Sequence, residues 1–247
     1  MNIAQAVILA GGKGERLRPL TNKIPKPLAP IQGVPFLDYL IHSIIQVGIH
    51  KILFLIGYRG EMILERYGPL CNEKIKFSFS HGDADDQTGA RLLNAYDQLE
   101  DKFLLLYGDN YWPIELNTMT NLYRKKKAKI LTTVFGNLYG TGEYGTENNI
   151  LVDNKNVVLK YDKSRKEKKL NGVDIGYFIV DKNSLDQSSK GKNVSFEEDI
   201  LPKFISGGGL VAHFTNEQYY YITHPKSLKC FENYVIQNHI KFYQGVL

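Results

Sequence analysis

An apolar run from Ile3 to Leu9 opens directly into Ala10-Gly11-Gly12-Lys13-Gly14-Glu15-Arg16-Leu17-Arg18-Pro19, and Pro25-Lys26-Pro27-Leu28 follows. A short, continuously apolar run reads as a strand covered on both faces. Glycines straight after it allow a tight turn and leave backbone N–H groups unpaired. With Arg16 and Lys26 nearby, those N–H groups make a concave cation suited to a polyphosphate. Two narrower readings of the loop fail on spacing. A dinucleotide fingerprint needs a third glycine where Leu17 stands, and a phosphate loop of the Gly-Lys-Ser/Thr kind needs a hydroxyl where Gly14 stands.

Further runs at Ile52–Ile56, Ile75–Phe79, Phe103–Tyr107 and Ile130–Phe135 read as strands, so that to about Phe135 the chain alternates strands with amphipathic segments. This predicts an α/β fold, Rossmann-like, with a mostly parallel sheet flanked by helices. Phe36, Leu40, Ile44 and Val47 recur at helical spacing, with Pro35 in the first turn and Gly48 as the stop. Ligands of such sheets collect at the carboxyl ends of the strands, which brings the glycine loop and Gly108-Asp109-Asn110 to one crevice. Beyond residue 135 the pattern becomes β-rich. It has a hairpin around Asn154-Lys155-Asn156, a strand at Val173–Val180, a helix entry at Ser195 with capping-box spacing to Glu198, a stop at Gly207-Gly208-Gly209 and a strand at Leu210–Phe214. A last helix is predicted from Pro225 to about Tyr243, burying Leu228, Phe231, Val235 and Ile236. The chain reads as one domain over 1–247, in stretches 1–135, 136–224 and 225–247, the last being the closing helix.

The 247 residues are 43% hydrophobic and 23% charged with a net charge of +5, which fits an ordinary globular protein acting on small anions. Lys and Arg are scattered, not arrayed in a stripe with stacking aromatics, which argues against nucleic acid. Arg124-Lys125-Lys126-Lys127 is expected at the end of a surface helix. Cys71 and Cys230 have no metal-ligand spacing and read as free thiols. The first apolar run is too short for a membrane span and lacks a basic leader, so no membrane partner and a cytoplasmic location are expected. Homo-oligomeric assembly is left open.

The stretch Leu9 to Ile31, Leu-Ala-Gly-Gly-x-Gly-x-Arg-Leu-x-Pro-Leu-Thr with Pro-Lys-Pro-Leu-x-Pro-Ile behind it, resembles the signature of the sugar-1-phosphate nucleotidyltransferases. The resemblance implies the nucleotide-diphospho-sugar transferase fold and substrates that are an NTP and a sugar 1-phosphate, with Mg2+ as cofactor. It implies that 1–135 serves mainly the nucleotide and 136–224 mainly the sugar, with a nucleotide site at Leu9, Ala10, Gly11, Gly12 and Gly14. Arg16 would bind the β- and γ-phosphates, Lys26 would bridge the α-phosphate and the sugar phosphate, and Asp109 would hold the metal. Tyr144-Gly145 and Lys163 resemble the sugar-phosphate region, with Asp162 and Ser164 replacing Glu and Pro. Asp174 and Glu197 match sugar-contact positions.

Two departures accompany the resemblance. A second metal carboxylate is normal in a Trp/Tyr-x-Asp-x-Gly-Thr-Pro segment. The matching segment here, Tyr219 to Pro225, carries Tyr221 in the aspartate's place and His224 in that of threonine. In the base-binding loop, Gln87-Thr88-Gly89-Ala90-Arg91 is similar to the glucose-1-phosphate cytidylyltransferases, whereas Pro35-Phe36-Leu37 and the chain length are similar to the heptose-1-phosphate guanylyltransferases. Gln87 and Thr88 are expected base contacts, and Arg91 either binds a phosphate or points outward from a helix. CTP or GTP is the implied nucleotide. Transfer to a non-sugar phosphate, and a catalytically silent homologue that binds a nucleotide sugar, stay open as alternatives.

Overall fold

A computed structural model describes residues 2–240. Seven strands form one sheet: β1 (Gln5–Ala10), β2 (Lys51–Ile56), β3 (Lys76–His81), β4 (Lys102–Tyr107), β5 (Ile130–Phe135), β6 (Val173–Asp181) and β7 (Leu210–Thr215). Their spatial order is β7-β5-β6-β4-β1-β2-β3. β1 is parallel to β2 and β4, β2 to β3, and β5 to β7. β6 runs antiparallel to both its neighbours, β4 and β5. The five strands expected before residue 136 are all present, and the sheet is mostly parallel as predicted.

The helices are α1 (Phe36–Gln46), α2 (Gly60–Tyr67), α3 (Thr88–Asn94), α4 (Leu116–Lys126), α5 (Pro202–Ile205) and α6 (Pro225–Gln237). They cover both faces of the sheet, which explains why β1 shows no polar alternation. Ala6, Ile8 and Ala10 join a core with Phe36, Leu40 and Ile44 of α1. Val7 faces the opposite core, with Leu92 and Leu93 of α3 and Phe196. Pro35 lies just before α1 as its N-cap, not inside the first turn. The basic run from Arg124 closes α4, as expected.

The hairpin is formed by Ile150–Val152 and Val158–Tyr161. In β6 the register shifts between Asp174 and Phe178. Gly176 lies in this bulge with φ +77°, and a Cβ there would fall 2.6 Å from the Tyr107 ring, so the bulge seats Tyr107 beside Asp174.

At Ser195 the capping differs from the expected box. The Ser195 hydroxyl accepts from the Glu198 N–H at 3.2 Å, but the Ser195 N–H donates to Asp199, one residue further on, at 2.6 Å. The Glu198 side chain turns instead to Lys163, 3.0 Å away. The last helix stops at Gln237, and Tyr243 lies outside the described residues. Ile236, expected inside, is 50% exposed. It sits about 100° around the helix from Val235, and Tyr234 packs inward in its place, stacked on Tyr220 with centroids 4.3 Å apart. Both cysteines are free and exposed. Among the described residues no helix is long and apolar enough to cross a membrane.

Candidate active site

The carboxyl ends of β1 and β4 meet where the Gly108 N–H donates to the Leu9 carbonyl at 2.9 Å. A cleft of about 680 Å³ opens there, lined by the glycine loop, Lys26, residues 84–88, Tyr107 to Asp109, and Lys163. The N–H groups of Gly12, Lys13 and Gly14 donate to no described protein group. Gly14 has φ +61°, and a Cβ on it would approach the Lys26 Cβ to 2.9 Å. The loop therefore folds down onto Lys26 only because that residue is glycine. Lys26, pinned in a single turn between two prolines, is 8% exposed and donates from Nζ to Asp109 Oδ2 at 2.6 Å. Asp109 is about one-third exposed at the cleft edge, and no hydrogen bond reaches its Oδ1 among the described residues. Lys13 pairs with Asp85 across the mouth.

Arg91 is neither outward-facing nor free. Its guanidinium is buried and donates to the carbonyls of Ile56 (3.1 Å), Gly11 (3.1 Å) and Asp83 (2.7 Å). It thereby ties the ends of β1 and β2 to the base-side loop. Burial lowers its pKa. The outward alternative fails because three convergent carbonyls, each already accepting one backbone N–H, offer the guanidinium their second lone pairs.

Glu197 and Asp174 lie beneath the cleft, not on its wall. Glu197 accepts from Tyr107 OH, and its Oε2 accepts from the hydroxyls of Thr88 and Ser195, both at 2.7 Å. Thr88 in turn accepts from the Phe196 N–H at 2.9 Å, so the hydroxyl expected at the base serves this layer. Asp174 accepts from Thr132 Oγ1 (2.9 Å), Tyr161 OH (3.0 Å) and the Gly176 N–H (3.0 Å). Burial lifts its pKa from 3.8 to about 6 against the pull of those donors. Tyr107 and Tyr161 are driven well above 10 by burial beside the two acids. Lys163 reaches over the layer, with Nζ 4.0 Å from Glu197 Oε2.

The far lip is the loop that follows β5. Arg16 Nη1 crosses to it, donating to Glu143 Oε1 at 3.0 Å and to Tyr144 OH at 2.9 Å. Partial burial pulls the Arg16 pKa down, but Glu143, Tyr144 and, beyond them, Asp109 raise it on balance. Gly145 lies in the same loop, its carbonyl accepting from Asn137 at 3.0 Å. Gln87 precedes α3 without a side-chain cap bond, its N–H donating to Asn193 Oδ1 at 2.6 Å and its amide to the Asn193 carbonyl at 3.3 Å. Of the residues singled out in the sequence, the structure brings Arg16, Lys26, Asp109 and Lys163 around one cleft and sets Tyr144 on the opposing lip. Sequence reasoning missed Glu143, Tyr107 and Tyr161. Tyr107 was in principle accessible, because it ends the strand that delivers Asp109.

The chain and its fold have known counterparts. The family model described as nucleotidyl transferase matches residues 5–222. A probable glucose-1-phosphate cytidylyltransferase of Bacillus subtilis is 29% identical over 230 residues, 85% of this chain and 87% of that one. A D-glycero-alpha-D-manno-heptose 1-phosphate guanylyltransferase of Aneurinibacillus thermoaerophilus is 30% identical over 200 residues, 81% of this chain and 84% of the relative. Among solved structures, HddC from Yersinia pseudotuberculosis complexed with GMP-PN superposes with a TM-score of 0.75 at 23% identity, covering 94% of this chain and 99% of that one.

Proposed function

The chain belongs to the nucleotidyl transferase family, as a sugar-1-phosphate nucleotidyltransferase, and from that premise we propose that it uses CTP or GTP, with Mg2+, to make an NDP-sugar and pyrophosphate. The observation that carries this reading is the meeting of the unpaired N–H groups of Gly12, Lys13 and Gly14 with Lys26 and Asp109 in one cleft. The two relatives named cytidylyl- and guanylyltransferase support the choice of base.

In the reaction an oxygen of the sugar phosphate attacks the α-phosphorus, and the bond from that phosphorus to the bridging oxygen of the β-phosphate breaks. Two anions must approach, and each pair of unit charges at 4 Å repels by roughly 4 kcal/mol at an effective dielectric near 20. Lys26 is placed to neutralise the α-phosphate and the incoming phosphate together. The glycine-loop N–H groups receive the triphosphate, and Arg16 takes the β- and γ-oxygens that carry the departing charge. Lys163 meets the sugar phosphate from above Tyr107, and Tyr144 and Gly145 close the far side. Arg91 acts through Gly11, holding the loop in shape. Glu197 and Asp174 set the floor on which the sugar rests. No general base is required, because the nucleophile is already an oxyanion; positioning and electrostatic stabilisation do the work.

The donor set fits a hard divalent cation that keeps several waters: one carboxylate with an open oxygen, at the cleft edge, beside the place of the phosphates. Asp109 would hold Mg2+, which when bound neutralises phosphate charge and orients the triphosphate. The testing experiment measures pyrophosphate release with CTP, GTP, UTP, dTTP or ATP against hexose and heptose 1-phosphates. Activity with CTP or GTP that disappears in Asp109→Asn is expected; activity with another base alone, or an active Asp109→Asn, would overturn this assignment.

A further inference from the structure

Position 221, where the resemblance puts a carboxylate, is held against Asp109. Tyr221 pairs with Asn110 in a short antiparallel ladder, and the Ile222 N–H donates to the Asp109 carbonyl at 3.0 Å. Alternate residues of an extended segment share a face, and here Tyr219, Tyr221 and Thr223 all engage one short piece of the far lip. Tyr219 OH accepts from the Glu143 N–H at 2.9 Å, Tyr221 OH donates to the Gly142 carbonyl at 3.3 Å, and Thr223 Oγ1 donates to Glu143 Oε1 at 2.8 Å. The segment that lacks its own carboxylate therefore grips another one. The Glu143 side chain is only 16% exposed. Its Oε1 is shared by Thr223 and Arg16, and no hydrogen bond reaches Oε2 among the described residues. Adjacent residues, Ile222 and Thr223, thus hold the Asp109 backbone and the Glu143 carboxylate, and the cation bonded to Glu143 in the free enzyme is Arg16.

We propose that Glu143 supplies the second metal carboxylate that Tyr221 cannot, so that the loaded enzyme holds its divalent cation between Asp109 and Glu143, with Arg16 as the placeholder in the free enzyme. The inference rests on the reaction proposed above. On entry of the triphosphate, Arg16 exchanges Glu143 for phosphate oxygens, and Glu143 exchanges the guanidinium for the metal. No charge is left uncompensated at either stage. The extra methylene of glutamate over aspartate suits a ligand that reaches in from the opposite lip. Tyr221 and Thr223 act as positioning residues, fixing the loop so that the carboxylate faces Asp109.

The test uses Mn2+ as probe on the full chain with saturating CTP and, separately, GTP. It reads the affinity of Mn2+ for the enzyme–nucleotide complex from the free-ion electron paramagnetic resonance signal, and the waters left on the bound ion from water-proton relaxation. Glu143→Gln, which keeps the hydrogen bond from Thr223, should weaken Mn2+ by at least about tenfold and add a coordinated water. Introducing Tyr221→Asp into that variant should restore both readings. Because the double variant must bind Mn2+ as the wild type does, misfolding of the single variant cannot imitate the result. Wild-type readings in Glu143→Gln, with a loss in Asp109→Asn, would overturn the inference and leave the proposed reaction standing. Absence of Mn2+ binding in the wild type with either nucleotide would also overturn it, and pyrophosphate release in chelator-treated buffer would then show whether the reaction survives without it.

Discussion

On the glycine-loop side of the cleft, Asp109 keeps one carboxylate oxygen open and the N–H groups of Gly12, Lys13 and Gly14 stay unpaired. On the floor, Glu197 and Asp174 accept from three donors each, all supplied by the protein itself. Both regions are rich in charge, and both match family positions in sequence, yet they do different work. The first is built to be completed by an anionic ligand. The second is already complete, a buried polar layer whose satisfied bonds fix the shape of the surface above it. A charged residue at a site position is thus either a contact or a foundation, and its remaining hydrogen-bonding capacity separates the two.

The contrast is most exposed to disproof at Lys26. Lys26→Met removes the cation that serves both phosphates, and kcat should fall by about 10²–10³-fold, the usual cost of losing a transition-state stabiliser. Stability should change little, because Asp109 is open enough to take up water once its partner is gone. Steady-state pyrophosphate release and urea unfolding of the same preparation check both halves. A variant that is strongly destabilised but turns over normally when folded would place Lys26 among the foundations.

Arg91 tests the same division from the other direction. Arg91→Met removes three charge-assisted hydrogen bonds that join the ends of β1 and β2 to the residue-83 loop, whose carbonyls each keep one backbone N–H donor, and roughly 2–4 kcal/mol of stability should be lost. Urea midpoints measured at constant m-value decide this. A near-neutral change in stability with a large rise in the KM for nucleotide would instead make Arg91 a direct phosphate ligand.

Asp174 gives the floor a pH signature. Its folded-state pKa of about 6 lies above the ordinary 3.8, so the folded chain holds the proton more tightly than the unfolded chain. Below about pH 4 both states are protonated and burial of the acid carries no electrostatic cost. As pH rises through about 6 the folded state must hold a buried charge, at a cost approaching about 3 kcal/mol for a shift near two units. Asp174→Asn removes this titration. The stability of wild type minus variant should therefore fall between pH 4 and pH 8, as read by urea unfolding at several pH values. Parallel curves for the two proteins would show that Asp174 is solvated.

How much of this was legible follows from what each feature depends on. The strands were readable because each is a short, mostly apolar run or, in β3, an apolar–polar alternation, and the glycine loop because its residues are contiguous with β1. Asp109 was readable because it follows a buried strand directly. The antiparallel direction of β6 was not, since a strand buried on both faces has the same composition whichever way it runs. Arg91 was opaque because its partners, residues 11, 56 and 83, are scattered along the chain, and only folding reveals that their carbonyls converge. Glu143 carries no local signal at all. Its role arises from Tyr219, Tyr221 and Thr223, some eighty residues away, and the only sequence hint was that position 221 departs from the family pattern.

Glu197 is the position where contact and foundation are hardest to tell apart, and it carries the smallest expected effect. Its Oε1 takes the Tyr107 hydroxyl and its Oε2 takes two more, while Lys163 stands just beyond bonding distance. In Glu197→Gln one amide oxygen remains an acceptor and one site becomes a donor, so at least one hydroxyl must turn round to accept. The expected cost is about 1–2 kcal/mol of stability, with kcat/KM for the sugar 1-phosphate changed by no more than about threefold if the side chain merely supports Tyr107. A carboxylate that instead receives a sugar hydroxyl would lose a charge-assisted bond of about 1.5–3 kcal/mol on substitution, which is about tenfold or more in kcat/KM. Measuring unfolding and kinetics on the one variant therefore separates the alternatives: a loss confined to stability keeps Glu197 in the floor, and a loss confined to kcat/KM moves it to the wall and dissolves the division between the two regions.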